Sequence, residues 1–409
     1  MDTDTTTGET GIHTNNKVIA LLAASHIIND SYMSLYPPLL PLMMPVLGMN
    51  IAQAGWLSTI FSVTSSLSQL AFGLLSDRIG GRFLIFLGPL IAGVFMSAIG
   101  LIHNYTMLAL FIALSGLGVA AFHPPASSTV GTVKAERRGT IMSLFVLGGN
   151  LGVSAMPLVA VPLVLTFGLS ATPVLAIPGF IASILLFIMI PPLKAKKPIE
   201  SVSFSATVKA KPFAFISLLG TVAFRSFAFF SLTTYIPKLL HDQGFSPIEA
   251  GGFVSILMFA GAIGGLLGGF LSDRFGRKLI IAGSLAASVP FLWLFLVSGG
   301  FGKALWLALA GFCLLAPFSV TVVAAQEIFP NSKATASSMS MGFGLGLGGV
   351  GVGIVGYMAS AIGLPQAIGI VSMLPFIAAI FALGLPGKLW LGFKSKSIED
   401  MVEYAGTND

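Results

Sequence analysis

The stretch GLLSDRIGGR (73–82) returns in the second half of the chain as GGFLSDRFGRK (268–278). Each copy follows a long apolar segment and carries one aspartate, two or three basic residues and at least one glycine near its end. Only 9% of the 409 residues are charged, whereas soluble proteins have about a quarter. Repetition of a charged segment in a chain so poor in charge indicates that the chain contains two copies of one unit.

The composition predicts a membrane protein. Hydrophobic residues make up 55% of the chain, and the mean hydropathy is +0.93. Long apolar stretches alternate with short polar breaks, and each is close to the roughly 20 residues that a helix needs to cross a bilayer. Because the hydrocarbon core offers no water to the backbone, such segments must be helices. The sequence therefore predicts an all-α membrane protein.

The apolar pattern predicts twelve transmembrane helices in two six-helix bundles. The predicted helices run 18–42, 51–75, 83–102, 106–128, 139–164, 172–192, 212–240, 247–271, 278–298, 303–328, 334–361 and 363–385. The predicted domains are an N-terminal tail (1–17), a first bundle (18–192), a basic linker (193–211), a second bundle (212–385) and a C-terminal tail (386–409). The polar N-terminus has no cleavable signal pattern, so we expect the first helix to direct its own insertion.

Lysine and arginine positions predict the orientation in the membrane. Of the 21 such residues, Lys238 and Lys303 fall on the side away from the termini and Arg225 falls inside a helix; all the others fall on the side of the termini. Basic residues favour the cytoplasmic side. We therefore expect a multi-pass protein of the cytoplasmic (inner) membrane with both termini in the cytoplasm. The net charge of +6 reflects this bias and predicts no nucleic-acid partner.

The repeat extends beyond the charged stretches and carries a family resemblance. YPPLL (36–40) corresponds to YIPKLL (235–240), and two halves of equal topology are typical of alternating-access transporters. The pattern G-x-L-x-D-R-x-G-R-[RK] at 269–278, and at 73–82 with Gly81 in place of a basic residue, resembles the signature of the major facilitator superfamily. The resemblance implies twelve helices in two pseudo-symmetric bundles and secondary transport.

Four shorter motifs resemble the fosmidomycin-resistance branch of drug exporters. They are SHIIND (25–30), AFHPPASS (121–128), GGNLG (148–152) and AQEIFP (325–330). Pro125 departs from that branch, which has an acidic residue there. The resemblance implies a proton-coupled exporter, an antiporter, of small anionic or amphiphilic compounds such as phosphonate antibiotics.

Two other functions stay open at this point. One is a proton symporter that imports an organic anion or a sugar-like nutrient, because the same fold serves both directions. The other is a membrane-embedded enzyme. We disfavour the enzyme, because the sequence has no HExxH, GxSxG or P-loop motif and no nucleophile–base pair at an interface.

Helix one carries polar residues at membrane depth, namely His26, Asn29 and Asp30. Charges there cost about 2.5–3.5 kcal/mol on insertion scales and usually indicate function. His26 and Asp30 are four residues apart and share one helix face. We predict that Asp30 is the proton-coupling site and that His26 relays the proton. The alternative is a fixed structural ion pair.

A second group of residues is predicted to bind the substrate. Arg225 aligns with His26 in the repeat, and the resemblance to the superfamily implies that helices one and seven both line a central cavity, so both residues are expected to meet the same water. The planar guanidinium of Arg225 suits a phosphonate or a carboxylate. The predicted set also contains Asn29, Tyr36, Tyr235 and His123. His123 precedes Pro124 and Pro125, where we expect a helix kink; the alternative is that its ring only caps backbone carbonyls.

The two charged loops are predicted to form a cytoplasmic gate. Asp77 is expected to face the start of helix eleven (334–338), Asp273 the start of helix five (near Gly139), and Glu327 to pair with Arg274 or Arg277. The full gate set is Asp77, Arg78, Arg82, Asp273, Arg274, Arg277, Gln326 and Glu327. The alternative is a pair of solvated turns that serve only topology.

The remaining features predict close helix packing and no cofactor. Gly148 and Gly152 on helix five and Gly346 and Gly349 on helix eleven are expected to let helices approach. The single cysteine, Cys313, allows no intramolecular disulfide and no cysteine metal cluster. We predict no metal site and no cofactor. The predicted partners are the substrate, protons and the lipid bilayer, with a monomer as the functional unit.

Overall fold

The computed structural model describes residues 16–130, 135–191, 209, 211–329, 342 and 344–387. Every regular element in these ranges is a helix. The two predicted tails lie outside these ranges apart from a few residues next to the helices. So do most of the predicted linker and the predicted start of helix eleven. The domain boundaries proposed from the sequence therefore stay a prediction.

The described segments form twelve helices. The first six are α1 (Asn16–Leu47), α2 (Ile51–Ile79), α3 (Arg82–Leu101), α4 (Tyr105–Val130), α5 (Ala135–Phe167) and α6 (Leu169–Met189). The second six are α7 (Pro212–Asp242), α8 (Pro247–Phe275), α9 (Arg277–Val297), α10 (Gly300–Ile328), α11 (Gly344–Ile362) and α12 (Leu364–Leu383). Eleven are long and apolar enough to cross a membrane, and the described part of α11 is a shorter apolar helix.

The helices of the two halves pack in the same pattern. In the first half α2 packs on α4, α3 on α4 and α6, and α1 on α5 and α6. In the second half α8 packs on α10, α9 on α10 and α12, and α7 on α11 and α12. Each pair in the second set is a pair of the first set shifted by six helices. The prediction of two pseudo-symmetric six-helix bundles is confirmed.

The repeated charged stretches end the second helix of each half in the same way. Gly80 and Gly276 follow α2 and α8 with φ of 83° and 96°, a backbone conformation that favours glycine. The amide of Gly80 donates to the Ser76 carbonyl, and that of Gly276 donates to the Ser272 carbonyl, each at 2.9 Å. The motif glycines therefore serve the sharp turn into the next helix.

The starts of the same two helices also correspond. Asn50 and Gln53 form a reciprocal capping box before α2, with bonds of 2.8 and 2.9 Å. Ser246 and Glu249 form the equivalent box before α8. Such caps satisfy amide groups that the first helical turn leaves unpaired. Helix starts and ends are thus encoded twice in the chain.

α1 differs from its counterpart α7 because it is broken. Its α-helix stops at Ser31, continues as short 3-10 turns, and resumes at Leu40–Leu47. Pro37, Pro38 and Pro41 lack amide donors, which accounts for the interruption. α7 remains helical through Pro237. The helix reaches Leu47, further than the predicted end at residue 42, and Gly48 with φ of 60° terminates it.

The two halves meet along α2–α11 and α5–α8. Thr59 Oγ1 donates to the Gly349 carbonyl at 2.8 Å and accepts from the Gly353 amide at 3.0 Å. A Cβ on Gly349 would lie 2.0 Å from Ser62 Cβ, so only glycine permits this approach. Gly346 is less crowded, since its Cβ would lie 3.7 Å from Ser66.

Candidate functional site

Three polar side chains meet inside the first bundle. His26 Nε2 lies 3.0 Å from Asp30 Oδ2, and His123 Nε2 lies 3.1 Å from Asp30 Oδ1. The two Nε2 atoms are 3.3 Å apart. His26 and Asp30 belong to α1 and His123 belongs to α4. We call these three residues the His–Asp–His cluster.

The second nitrogen of each histidine is held by the backbone. His26 Nδ1 donates to the Phe145 carbonyl of α5 at 2.6 Å, and His123 Nδ1 donates to the Val119 carbonyl at 2.8 Å. Since a carbonyl oxygen only accepts, both Nδ1 atoms carry hydrogen. Both Nε2 atoms therefore face the carboxylate, and both ring orientations are fixed.

Helix α5 completes the pocket around the cluster. The Phe145 ring stacks on His26 with a centroid distance of 4.0 Å. A Cβ on Gly149 would lie 2.5 Å from Asp30 Oδ2 and 2.8 Å from His26 Nε2. Gly152, one turn further, lies against the Ile27 carbonyl, where a Cβ would be 1.9 Å away. The sequence predicts packing roles for Gly148 and Gly152 of the GGNLG motif, and the glycine that makes room for the cluster is Gly149, between them.

Gly149→Ala is expected to push His26 and Asp30 apart and to lower the apparent unfolding temperature. Overpacking a filled site costs about 1–3 kcal/mol, and here the neighbouring His26 ring is held by its bond to the Phe145 carbonyl. Gly252→Ala is the matched control, because its Cβ would meet nothing within 4 Å. Thermal unfolding in detergent measures both variants. Equal unfolding temperatures for the two would contradict this packing.

Asn29 supports the carboxylate. Its Nδ2 donates to Asp30 Oδ1 at 3.1 Å, and the side chain is fully buried. The substrate-binding role predicted for Asn29 stays a prediction, but its observed contact is to Asp30. The same holds for His123, whose observed partners are His26, Asp30 and its own helix.

Arg225 is a buried cation on α7, and its neighbours are not those of Asp30. It is 2% exposed, and its Nη2 donates to Ser226 Oγ at 3.2 Å. Its guanidinium carbon lies 5.1 Å from the centre of the Phe318 ring on α10. Within the described residues no carboxylate lies within 4.0 Å of it, and its buried Nε has no hydrogen-bond partner.

The sequence placed Arg225 and Asp30 in one region, and the structure does not pair them. The two carboxylate oxygens of Asp30 are contacted within its own bundle, by His26 and Asn29 of α1 and by His123 of α4. Arg225 instead faces α10 of its own bundle, the second one. Alignment in the repeat placed both residues on first helices but carried no information about side-chain partners.

Tyr36 and Tyr235 use their hydroxyls in contacts between helices. Tyr36 Oη lies 2.5 Å from Ser58 Oγ, which lies 2.8 Å from Thr234 Oγ1, so three hydroxyls connect the two bundles. Tyr235 Oη donates to the Val352 carbonyl at 3.0 Å. Both rings are almost fully buried. Their predicted substrate-binding role therefore competes with a structural one, and it stays a prediction.

The fold and the repeated loops are those of one large family. The sequence profile described as "Major Facilitator Superfamily" matches residues 22–350. The chain belongs to the Major Facilitator Superfamily. It is therefore a multi-pass integral membrane protein from a family of transporters, and the predicted family is confirmed.

Two curated relatives cover nearly the whole chain. The uncharacterized MFS-type transporter YfnC of Bacillus subtilis is 28% identical over 382 residues, which are 90% of this chain and 92% of YfnC. The fosmidomycin resistance protein of Escherichia coli is 25% identical over 378 residues, which are 91% of this chain and 93% of that protein. The chain thus resembles a fosmidomycin resistance protein along 91% of its length.

A solved structure shares the architecture. A bacterial homolog of the human lysosomal transporter Spinster, in an inward-facing and unoccupied conformation, superposes with a TM-score of 0.76. The two chains are 19% identical, and the match covers 90% of this chain and 96% of the other. At this identity the likeness supports the fold alone.

The superfamily loop signature of the second bundle makes a local network. Arg277 Nη2 lies 3.3 Å from Glu327 Oε1, and Arg277 also pairs with Asp273 and donates to Ser272 Oγ. This is one of the two pairings predicted for Glu327. The network joins α8, α9 and α10 within one bundle, so the gating role assigned to it stays a prediction.

The other gate residues are only partly described. Arg274 does not contact Glu327 within ion-pair distance and lies beside the ring of Phe275. Arg82 Nη2 donates to the Phe187 carbonyl at 2.6 Å, within the first bundle. Arg78 is exposed, and Gln326 is partly buried on α10. The side chain of Asp77 and those around Gly139 lie outside the described part, as does the segment 334–338, so the contacts predicted for Asp77 and Asp273 across the bundles remain predictions.

Proposed function

We propose that this superfamily member is a proton-coupled exporter of small anionic or amphiphilic compounds, such as phosphonates, working by alternating access. Arg225 is the observation that carries the proposal. A buried guanidinium that has an unpartnered Nε and no carboxylate within 4.0 Å among the described residues has donors to offer an anion. A planar fork of donors matches a phosphonate or carboxylate well.

The position of Arg225 supports a transport role. It lies on α7 and faces α10, and buried ionisable groups in membrane segments usually mark substrate or ion pathways. A buried cation is costly when it lacks a counter-ion, and Arg225 has none in the described part of the chain, so the fold is expected to use this charge. An anionic substrate would supply the missing charge.

The His–Asp–His cluster supplies the coupling group in this proposal. Asp30 is a buried carboxylate on α1, the helix that corresponds to α7 in the repeat. Proton binding at Asp30 would accompany release of the anion from Arg225. The protein would then open to the opposite side of the membrane. Resemblance to the fosmidomycin resistance protein supports export as the direction and a phosphonate as one substrate.

Orientation and assembly are part of the same proposal. The bias of Lys and Arg supports a cytoplasmic location for the termini and the two signature loops. The protein would act as a monomer in the cytoplasmic membrane, because one chain contains both bundles and both charged sites. Import of an organic anion by proton symport is the alternative, which would use the same two charges in the other direction.

Growth of Escherichia coli lacking its own fosmidomycin resistance protein tests the direction. Cells that make this protein are expected to grow at several-fold higher fosmidomycin concentrations and to accumulate less of the labelled compound. A protonophore should restore accumulation. A neutral antibiotic of similar size is the control for charge selectivity. Greater sensitivity to fosmidomycin would indicate import, and unchanged sensitivity with unchanged accumulation would reject this substrate class.

A further inference from the structure

We propose that the His–Asp–His cluster is a binding site for one divalent first-row transition-metal ion, represented experimentally by Zn²⁺ or Co²⁺. Two imidazole Nε2 atoms and one carboxylate converge at a single point inside the first bundle. Two histidines with one carboxylate are a common ligand set for such ions.

The spacing of the donor atoms fits metal coordination. Ligands about 2.0–2.1 Å from a tetrahedral ion lie roughly 3.3 Å from one another. The observed separations are 3.0 Å and 3.1 Å between each Nε2 and its carboxylate oxygen, and 3.3 Å between the two Nε2 atoms. The two short N–O distances end on different oxygens of Asp30, and one ligand atom from each of the three residues lies within 4.8 Å of the other two, so the three side chains are close enough to share one ion.

The hydrogen bonds of the rings point to a cation at the centre. Both Nδ1 atoms donate to backbone carbonyls, so the Nε2 atoms of neutral rings present lone pairs. With both rings neutral, two lone pairs and a carboxylate face one another. A metal ion satisfies all three acceptors at once.

The surroundings have the features of an outer coordination shell. Metal-bound histidines typically donate their other nitrogen to a carbonyl or carboxylate, which fixes the ring; here both do. Asn29 Nδ2 orients the carboxylate in the same way at 3.1 Å. The absence of a side chain at Gly149 leaves the space beside Asp30 and His26 that the cluster occupies.

Access to the site comes from the side of His123. Its side chain is 23% exposed, whereas that of His26 is 6% exposed. Three protein ligands leave a fourth position for water or substrate, as in metal sites that bind ligands. The inference goes beyond the proposed function, because it adds a metal ion to a site where the sequence predicted none.

Binding of Co²⁺ to the tag-free, metal-depleted, full-length protein in detergent tests the site. The wild type is expected to bind one equivalent by calorimetry and to show the visible absorption of four- or five-coordinate Co²⁺. His123→Asn and His26→Asn are expected to weaken binding by more than about 100-fold, since even a lost outer-shell partner costs about 10- to 100-fold. His103→Asn and His241→Asn, which alter histidines outside the cluster, should bind like the wild type.

These metal-binding measurements involve no transport assay, so their result does not depend on whether the exporter proposal is correct. No saturable Co²⁺ or Zn²⁺ binding by the wild type would overturn the inference, as would equal binding by the cluster and control variants. If a cluster variant fails to fold, X-ray absorption of the Zn²⁺-loaded wild type decides instead. Two imidazole nitrogens at about 2.0–2.1 Å support the site, and a shell of oxygen alone overturns it.

Discussion

Asp30→Asn is expected to abolish proton-driven transport while leaving the protein folded. The amide has nearly the shape of the carboxylate, but it carries no charge for a coupling cation to neutralise. Its NH₂ group would also face the Nε2 atom of His26 or His123, which now lies 3.0 or 3.1 Å from a carboxylate oxygen. Accumulation of labelled fosmidomycin in inverted vesicles with an acidic lumen is expected to fall to the level without a gradient.

Two controls separate loss of coupling from loss of structure. Asp242→Asn makes the same chemical change at an exposed aspartate that pairs with Lys238, and it should transport like the wild type. Substrate exchange at equal pH on both sides needs no net proton movement, so Asp30→Asn should retain it. Gradient-driven accumulation by Asp30→Asn equal to that of the wild type would exclude Asp30 as the coupling group.

Arg225→Ala is expected to weaken substrate binding by at least about tenfold. Hydrogen bonds to charged groups contribute about 1.5–3 kcal/mol each, and the guanidinium is the buried cation that the proposal assigns to the anionic substrate. Arg225→Lys keeps the charge but loses the planar fork, so it should bind with intermediate affinity. Calorimetry of the purified variants with fosmidomycin measures these differences.

The matched control is Lys238→Ala, which removes a cation from the same helix at a solvent-exposed ion pair. It should bind fosmidomycin like the wild type. If Arg225→Ala and Lys238→Ala bind with the same affinity, Arg225 is a structural cation held by Ser226 and Phe318, and the anion site lies elsewhere.

The fold could be predicted because its causes are local and repeated. Apolar length defines each membrane helix, and the two charged stretches mark equivalent turns at Gly80 and Gly276. Helix ends were predicted less well. The prolines of α1 break the helix without ending it, so it continues to Leu47.

The candidate site could be predicted only in part. His26 and Asp30 share a face four residues apart, so one helix suffices to predict their contact. His123 lies 97 positions from His26, and its ring was interpreted as a substrate ligand or carbonyl cap because no local pattern shows which face of α4 meets α1. Gly149 has the same limitation: it stands between glycines of similar appearance, and only the packing of α5 on α1 distinguishes it.

Partners of single charges were the least predictable feature. The repeat correctly placed Arg225 inside the first helix of the second bundle, yet its neighbour Phe318 comes from α10. The hydroxyls of Tyr36 and Tyr235 looked available for substrate in the sequence, but helix contacts use both. Such contacts depend on which face each helix turns toward its neighbours. In a chain whose membrane helices are apolar all round, the sequence pattern does not specify that face.

Coupled movement of protons and phosphonate tests the account most directly. The purified protein would be reconstituted into vesicles containing a pH-sensitive dye and an acidic lumen, and labelled fosmidomycin would be added outside. The account predicts that fosmidomycin accumulates in the lumen, that its entry speeds the loss of luminal protons, and that a protonophore stops the accumulation. Fosmidomycin entry that leaves the luminal pH unchanged and does not depend on the gradient would contradict proton-coupled export.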